Sequence, residues 1–140
     1  MSTSLASSLG FAKIASTDTI REVLRTQISP TARPALHRSS FEPAGGSATE
    51  DWKETVHALS GGVLAVIERA ISKGTDLLLE GVHYLPNKEV IDLWREAGGV
   101  AIGVVLYVSS EERHRGMIAN REKHNGKKVD HYLGNLNRIR

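Results

Sequence analysis

The sequence predicts an open α/β domain in which helices cover a mostly parallel sheet. Three observations point there. Two short runs, 75–82 and 100–109, are apolar continuously rather than on alternate residues, the habit of strands buried on both faces. Segments with apolar residues at helical spacing lie between the strand-like runs. The order of the pieces then alternates strand and helix, as parallel sheets with crossover helices require.

Taken in order, residues 1–11 read as a helix leading into a first strand at 11–16. A helix carrying Arg21 and Arg25 follows. Residues 29–47 hold three of the four prolines and Gly45-Gly46 without any period, a loop of the length usually associated with function or disorder. Ser47-x-x-Glu50 is a capping box, and Trp52, Val56, Leu59, Val63, Val66, Ile67 and Ala70 continue at helical spacing until Gly74 stops the helix. The second strand is 75–82. Asn87 caps a helix over 88–97 that Gly98-Gly99 ends. The third strand, 100–109, precedes a strongly polar helix opened by Ser109-x-x-Glu112, and Val129, Tyr132, Leu133, Leu136 and Ile139 mark a last amphipathic helix. No internal repeat is found. A chain of 140 residues is of the size of one compact domain or a large piece of one, and is expected to be a single incomplete domain over 1–140.

Composition narrows the class of function. Apolar residues are 40% and charged residues 24%, ordinary for a soluble globular protein. Aromatics at 5% leave the core to Leu, Ile, Val and Ala. The net charge of +2 is too small to argue for nucleic acid, and the basic stretch after Arg113 offers only Tyr132 as a stacking ring. That local excess of Arg and Lys suits a small anionic ligand. With no cysteine, thiol catalysis is excluded and any metal must take O or N ligands. The longest apolar run, Val100 to Val108, is about half a membrane span, and no secretion signal is found. A soluble, cytoplasmic protein is expected.

Four stretches carry chemistry. Ser2-Thr3 begins the first helix where the Gly-x-x-x-x-Gly-Lys-Ser/Thr loop of a phosphate-binding protein would end, with Ser2 at the Mg²⁺-binding hydroxyl; a plain helix cap is the alternative. Ser16-Thr17-Asp18 ends the first strand, and an acid there faces the crevice where open sheets bind ligands. Asp18 or Thr19 capping the helix, with Glu22 closing a box, is the competing assignment, and the two roles are compatible. Leu77-Leu78-Leu79-Glu80 has the Walker-B form, a strand-end carboxylate for Mg²⁺ or its water; His83 follows as a substrate contact or a solvated loop histidine. Residues 110–127, rich in Arg and without an apolar stripe, form either a charged surface helix or a lid whose Arg113, Arg115 and Arg121 close over phosphates.

In this order and spacing the segments resemble 2-phosphoglycerate kinase, a branch of the P-loop small-molecule kinases. The residues that carry the resemblance are Ser16-Thr17-Asp18-Thr19-Ile20-Arg21-Glu22-Val23-Leu24-Arg25, Leu36-His37-Arg38-Ser39-Ser40-Phe41, Val66-Ile67-Glu68-Arg69-Ala70, Leu78-Leu79-Glu80-Gly81-Val82-His83, the arginines of 110–127 and Tyr132-Leu133. The resemblance implies a partial P-loop kinase three-layer sandwich that lacks its first strand and the Gly-Lys loop. It implies an ATP- and Mg²⁺-dependent transferase that phosphorylates 2-phosphoglycerate to 2,3-bisphosphoglycerate. Asp18 would orient or deprotonate the acceptor hydroxyl, with Glu80, Arg113, Arg115 and Arg121 as the other catalytic groups. Arg21, Arg25, His37, Ser39, Ser40 and His83 would bind substrate. Ser2 and Thr3 would bind nucleotide, and Ser2 and Glu80 the metal.

The chain is accordingly expected to be a family member cut within its phosphate-binding loop, with Met1 a misplaced start and reduced or absent activity. Two further expectations stand beside it. One is a P-loop kinase with another acceptor: a sugar acid, a nucleotide end, or a peptidoglycan precursor as in zeta-toxin-like kinases. The other is a non-catalytic binding module that pairs its strand edge with another subunit as a homo-oligomer. No membrane partner is expected.

Overall fold

The computed structural model describes residues 2–39, 42–125 and 129–139. They fall into two compact units. The first comprises the residues up to Arg38 together with Trp52–Gly103; the second comprises Ser39–Asp51 and the residues from Val104 onward.

The first unit is built on a parallel pair of strands. Helix α1 (Ser2–Leu9) leads into β1 (Ile14–Ser16), which is followed directly by α2 (Thr17–Gln27) and the short α3 (Pro34–His37). The long α4 (Ala48–Ser72) begins in the second unit and continues through the first to β2 (Leu78–Glu80) and α5 (Lys88–Glu96). Strands β1 and β2 are parallel, with Ile14 opposite Leu78, Ala15 opposite Leu79 and Ser16 opposite Glu80. The register therefore brings the carboxyl ends of both strands level.

The core explains why α4 persists for 25 residues. Leu59, Val63, Ile67 and Ala70 recur on one face and are buried, and Leu36 from α3 joins Leu59, Val63 and Ile67 in one cluster. Ile20 and Leu24 of α2, Leu77 and Leu79 around β2, and Val90 and Trp94 of α5 pack against it. Burying a side chain of this size is worth roughly 1.5–3 kcal/mol, so a handful of them fixes where α4 lies. The glycine pair Gly61-Gly62 has a specific reason at its second member: a Cβ on Gly62 would stand 2.9 Å from the Ile20 Cγ2, so α2 and α4 meet there at close range.

Local capping follows the sequence. Ser47 and Glu50 cap α4 reciprocally, Glu50 N–H donating to the Ser47 hydroxyl at 3.2 Å and Ser47 N–H to the Glu50 carboxylate at 2.8 Å. The Asn87 side chain accepts from Val90 N–H at 3.0 Å. Gly74 ends the α4 turn in the left-handed region at φ +58°. At α2, however, the cap is Ser16 rather than Asp18 or Thr19: its hydroxyl accepts from Asp18 N–H at 3.2 Å.

The α/β character holds, while the third strand does not form. Residues 100–109 have no regular structure, and Val100, Ile102, Val104, Val105, Leu106 and Tyr107 are each at least 69% exposed. A strand needs a neighbour to pair its N–H and C=O groups, and among the described residues the sheet has two strands only. The first two strands are also shorter than expected, three residues each.

The second unit holds α6 (Glu111–Asn125), α7 (Val129–Gly134) and α8 (Leu136–Ile139). Ser110, not Ser109, caps α6, its hydroxyl accepting from Arg113 N–H at 3.1 Å. Among the described side chains of α6 only Ile118 and Glu122 are buried, in keeping with its lack of an apolar stripe. The expected single C-terminal helix is divided by a turn at Asn135, with Leu136 fully buried just after it. No helix among the described residues is long and apolar enough to cross a membrane.

Candidate functional site

The turns after β1 and β2 lie side by side because the strands are parallel and in register. The backbone passes from Ser16 straight into α2, so Asp18 stands in the first helical turn with its side chain 69% exposed. With Ser16 serving as the cap, the Asp18 carboxylate is left to face outward. One strand over, Glu80 is half-buried at the end of β2. The chain then turns at Gly81 and brings His83 back, buried, with Nδ1 3.4 Å from the Asp18 Oδ1. Asp18, Glu80 and His83 thus share the carboxyl ends of two parallel strands.

Burial pushes the His83 imidazole below the ordinary histidine range. The nearby Arg21 guanidinium adds to this, the Asp18 carboxylate opposes it, and Arg25 lowers it further. The ring is therefore neutral near pH 7. Burial likewise raises the Tyr84 phenol. His83 and Tyr84 also line a groove of about 640 Å³ beside α4, with His57, Val63, Ile67 and Val90, a volume in the range of small-molecule sites.

Arg21 is buried and faces inward. Its Nε donates to the Leu36 carbonyl at 2.8 Å, and a terminal nitrogen donates to the Arg38 carbonyl. Arg25 donates to the same Leu36 carbonyl at 2.7 Å, to the His37 carbonyl at 3.0 Å and to the Glu22 carboxylate at 2.6 Å. The His37 ring donates from Nε2 to the Ile28 carbonyl at 2.8 Å. The two arginines and His37 therefore hold residues 36–38 against α2 through backbone carbonyls. Burial and the adjacent Arg25 both push the Arg21 guanidinium below its usual pKa, with Asp18 and Glu22 acting in the opposite direction.

The remaining expected residues are distributed as follows. Ser2 is half-buried and Thr3 exposed in the first turn of α1, a helix that packs beside both strands. Ser39 belongs to the second unit, its N–H donating to the Glu42 carboxylate at 3.1 Å; Ser40 lies outside the described residues. Within the second unit the Arg113 side chain is exposed. Arg115 donates to Glu111 at 2.8 Å and to the Asn137 side chain at 3.2 Å. Arg121 donates to the buried Glu122 at 2.6 Å and lies 5.7 Å from the Tyr132 ring centroid.

Sequence reasoning missed Thr17 and Gly81. Thr17 is fully buried between the two strand ends, and its hydroxyl accepts a long bond, 3.5 Å, from His83 N–H. Gly81 has φ +133°, and a Cβ there would fall 1.9 Å from the Thr17 Oγ1. Neither residue is charged, and the contact joins positions more than sixty apart, so no local pattern marks it.

Among the described residues no three His, Asp or Glu side chains come together as a metal-binding group. Magnesium does not need one: it binds through one or two carboxylates and keeps waters and phosphate oxygens as its other ligands. A half-buried carboxylate at a strand end, Glu80, is of the chemistry that such an ion takes.

An α/β unit with two parallel strands that end at Ser16 and Glu80, followed by Thr17-Asp18 and Gly81, is of the open-sheet class that gathers ligands at strand carboxyl ends. Within that class the chain is similar to 2-phosphoglycerate kinases. It is 30% identical to the 2-phosphoglycerate kinase of Pyrococcus furiosus over 147 residues, covering 99% of this chain and 47% of that protein. The enzyme of the same name from Methanothermobacter thermautotrophicus is 35% identical over 84% of this chain and 41% of its own length; that of Methanococcus maripaludis strain C6 is 31% identical over 97% of the chain. The resemblance carried by the motifs thus holds across nearly all of the chain, which spans about half the length of the curated relatives it matches. No family model and no solved structure matches the chain.

Proposed function

We propose that the chain carries the acceptor side of an ATP-dependent kinase that phosphorylates 2-phosphoglycerate. The observation that carries this reading is the approach of the His83 Nδ1 to 3.4 Å from the Asp18 Oδ1, at strand ends that the register holds level, β2 closing there on Glu80. Asp18, exposed and released from capping by Ser16, is the group to orient the acceptor hydroxyl and take its proton. His83, neutral and buried, lies beside the carboxylate with Nδ1 at 3.4 Å. Glu80 would hold Mg²⁺ or its waters, with the Ser2 hydroxyl as a further oxygen ligand; bound there, the ion would neutralise charge on the transferring phosphoryl group. Arg113, exposed on the polar α6, is the lid arginine available to a phosphate. Arg115 and Arg121 would have to exchange their present carboxylate and amide partners for one. The same holds for Arg21, Arg25 and His37, which are bonded to backbone carbonyls.

The test is turnover of 2-phosphoglycerate by the wild-type protein and by Asp18→Asn. A general base is worth about 10²–10⁴-fold, and a loss in that range is expected. Turnover within about threefold of wild type would remove Asp18 from the acceptor role. A panel of sugar acids and nucleotides run alongside reports the acceptor.

A second reading, a binding module without turnover, is favoured by one fact: the 140 residues contain no Gly-x-x-x-x-Gly-Lys run, the usual cradle for ATP phosphates. Saturable binding of 2-phosphoglycerate with no product formed from ATP would select it.

A further inference from the structure

The Asp18–His83 contact depends on two turns that meet through a single hydroxyl. Thr17 follows the last residue of β1 and is fully buried. Gly81 follows the last residue of β2 and takes φ +133°, a backbone conformation that favours glycine. The absence of a side chain at 81 is what leaves room for the Thr17 hydroxyl: a Cβ would fall 1.9 Å from Oγ1 and 3.0 Å from the Thr17 Cβ. In that room the hydroxyl lies within 3.5 Å of His83 N–H. His83 is thereby turned inward until its ring is buried and its Nδ1 lies 3.4 Å from Asp18.

We infer that Thr17 and Gly81 are positioning residues: together they lock the turn after β2 against the start of α2, and so set Asp18, Glu80 and His83 in mutual register. The inference rests on the reading that these three form the acceptor site, but the lock itself is independent of turnover. Neither Thr17 nor Gly81 brings a charged or nucleophilic group to the substrate. Thr17 acts through the His83 backbone and Gly81 through the path of the chain between Glu80 and His83. The charged groups facing the His83 ring are Asp18, Arg21 and Arg25, so the ring's titration reports its place among them.

The experiment follows the His83 imidazole by NMR titration in the full chain, in wild type, Thr17→Ser, Thr17→Val and Gly81→Ala. Serine keeps the hydroxyl, whereas valine keeps the shape and loses the acceptor. The wild-type ring and the Thr17→Ser ring are expected to titrate together, below the ordinary histidine value. In Thr17→Val and Gly81→Ala the ring is expected to move toward that ordinary value, with 2-phosphoglycerate bound about tenfold more weakly. The lock is refuted if Thr17→Val titrates as wild type, or if Thr17→Ser behaves as Thr17→Val does. The comparison of Thr17→Ser with Thr17→Val decides the matter alone should Gly81→Ala fold poorly. Should the ring move as expected while no variant, wild type included, binds 2-phosphoglycerate, the lock stands and the acceptor reading fails.

Discussion

Replacing Arg21 by methionine separates a structural tether from a substrate ligand. The guanidinium donates from Nε to the Leu36 carbonyl at 2.8 Å and from a terminal nitrogen to the Arg38 carbonyl, and it is only 8% exposed. A hydrogen bond from a charged donor contributes about 1.5–3 kcal/mol net, so two amount to roughly 3–6 kcal/mol. Desolvation of the cation and its repulsion with Arg25 oppose this. Arg25 also keeps the Leu36 carbonyl bonded after the substitution. A net loss of about 2–3 kcal/mol remains. With a urea dependence of about 1–3 kcal/mol per molar, the unfolding midpoint of Arg21→Met falls by about 0.7–3 M, measured by circular dichroism without ligand. Arg21→Lys recovers little, because an ammonium cannot reproduce the planar fork that reaches two carbonyls. A midpoint within about 0.2 M of wild type at unchanged slope would refute the tether, and the claim that Arg21 is engaged before substrate arrives would fall with it.

Two other outcomes follow from the same geometry. His83 has a folded-state pKa below its unfolded value, so its neutral burial stabilises the protein above about pH 6.5. That contribution is lost as pH falls from there toward the folded pKa, because the unfolded chain takes up a proton the folded one does not. His83→Gln should flatten the stability profile in that window by up to about 1.4 kcal/mol per pH unit, and an unchanged slope would place the ring in solvent. Gly61→Ala and Gly62→Ala gain the same helix propensity, about 0.8–1 kcal/mol, but differ in surroundings. Nothing stands within 4 Å of a Cβ at 61, whereas one at 62 meets Ile20 Cγ2 at 2.9 Å and Leu24 Cδ1 at 3.2 Å. Thermal unfolding should therefore rank Gly61→Ala above wild type and Gly62→Ala at least about 1 kcal/mol below Gly61→Ala; equal stabilities would contradict the close packing of α2 on α4.

Much of the fold is legible where the determinants are local. The Ser47–Glu50 box, the Asn87 cap and the Gly74 stop each involve residues within one turn of one another, and each is realised. The apolar face of α4 is equally plain from spacing. Ambiguity enters where adjacent residues compete for one role: Ser16, Asp18 and Thr19 are all good caps, and only the backbone shows that Ser16 takes it. That outcome bears on function, since it leaves the Asp18 carboxylate outward. The strand expected at 100–109 was not decidable from its own residues, because a strand exists only with a partner. Arg21 and Arg25 illustrate the same boundary. Their spacing on α2 is visible in the sequence, but the carbonyls they bind belong to residues 36–38, and the chain's route back to them is not.

The most direct test of the acceptor site is phosphorus NMR of the protein incubated with ATP, Mg²⁺ and 2-phosphoglycerate, with Asp18→Asn in parallel. 2,3-Bisphosphoglycerate is expected to accumulate with the wild-type protein and to fall at least about a hundredfold with Asp18→Asn. Product formed equally by both would contradict the acceptor role of Asp18, whereas 2-phosphoglycerate bound with no product from either would select the binding module.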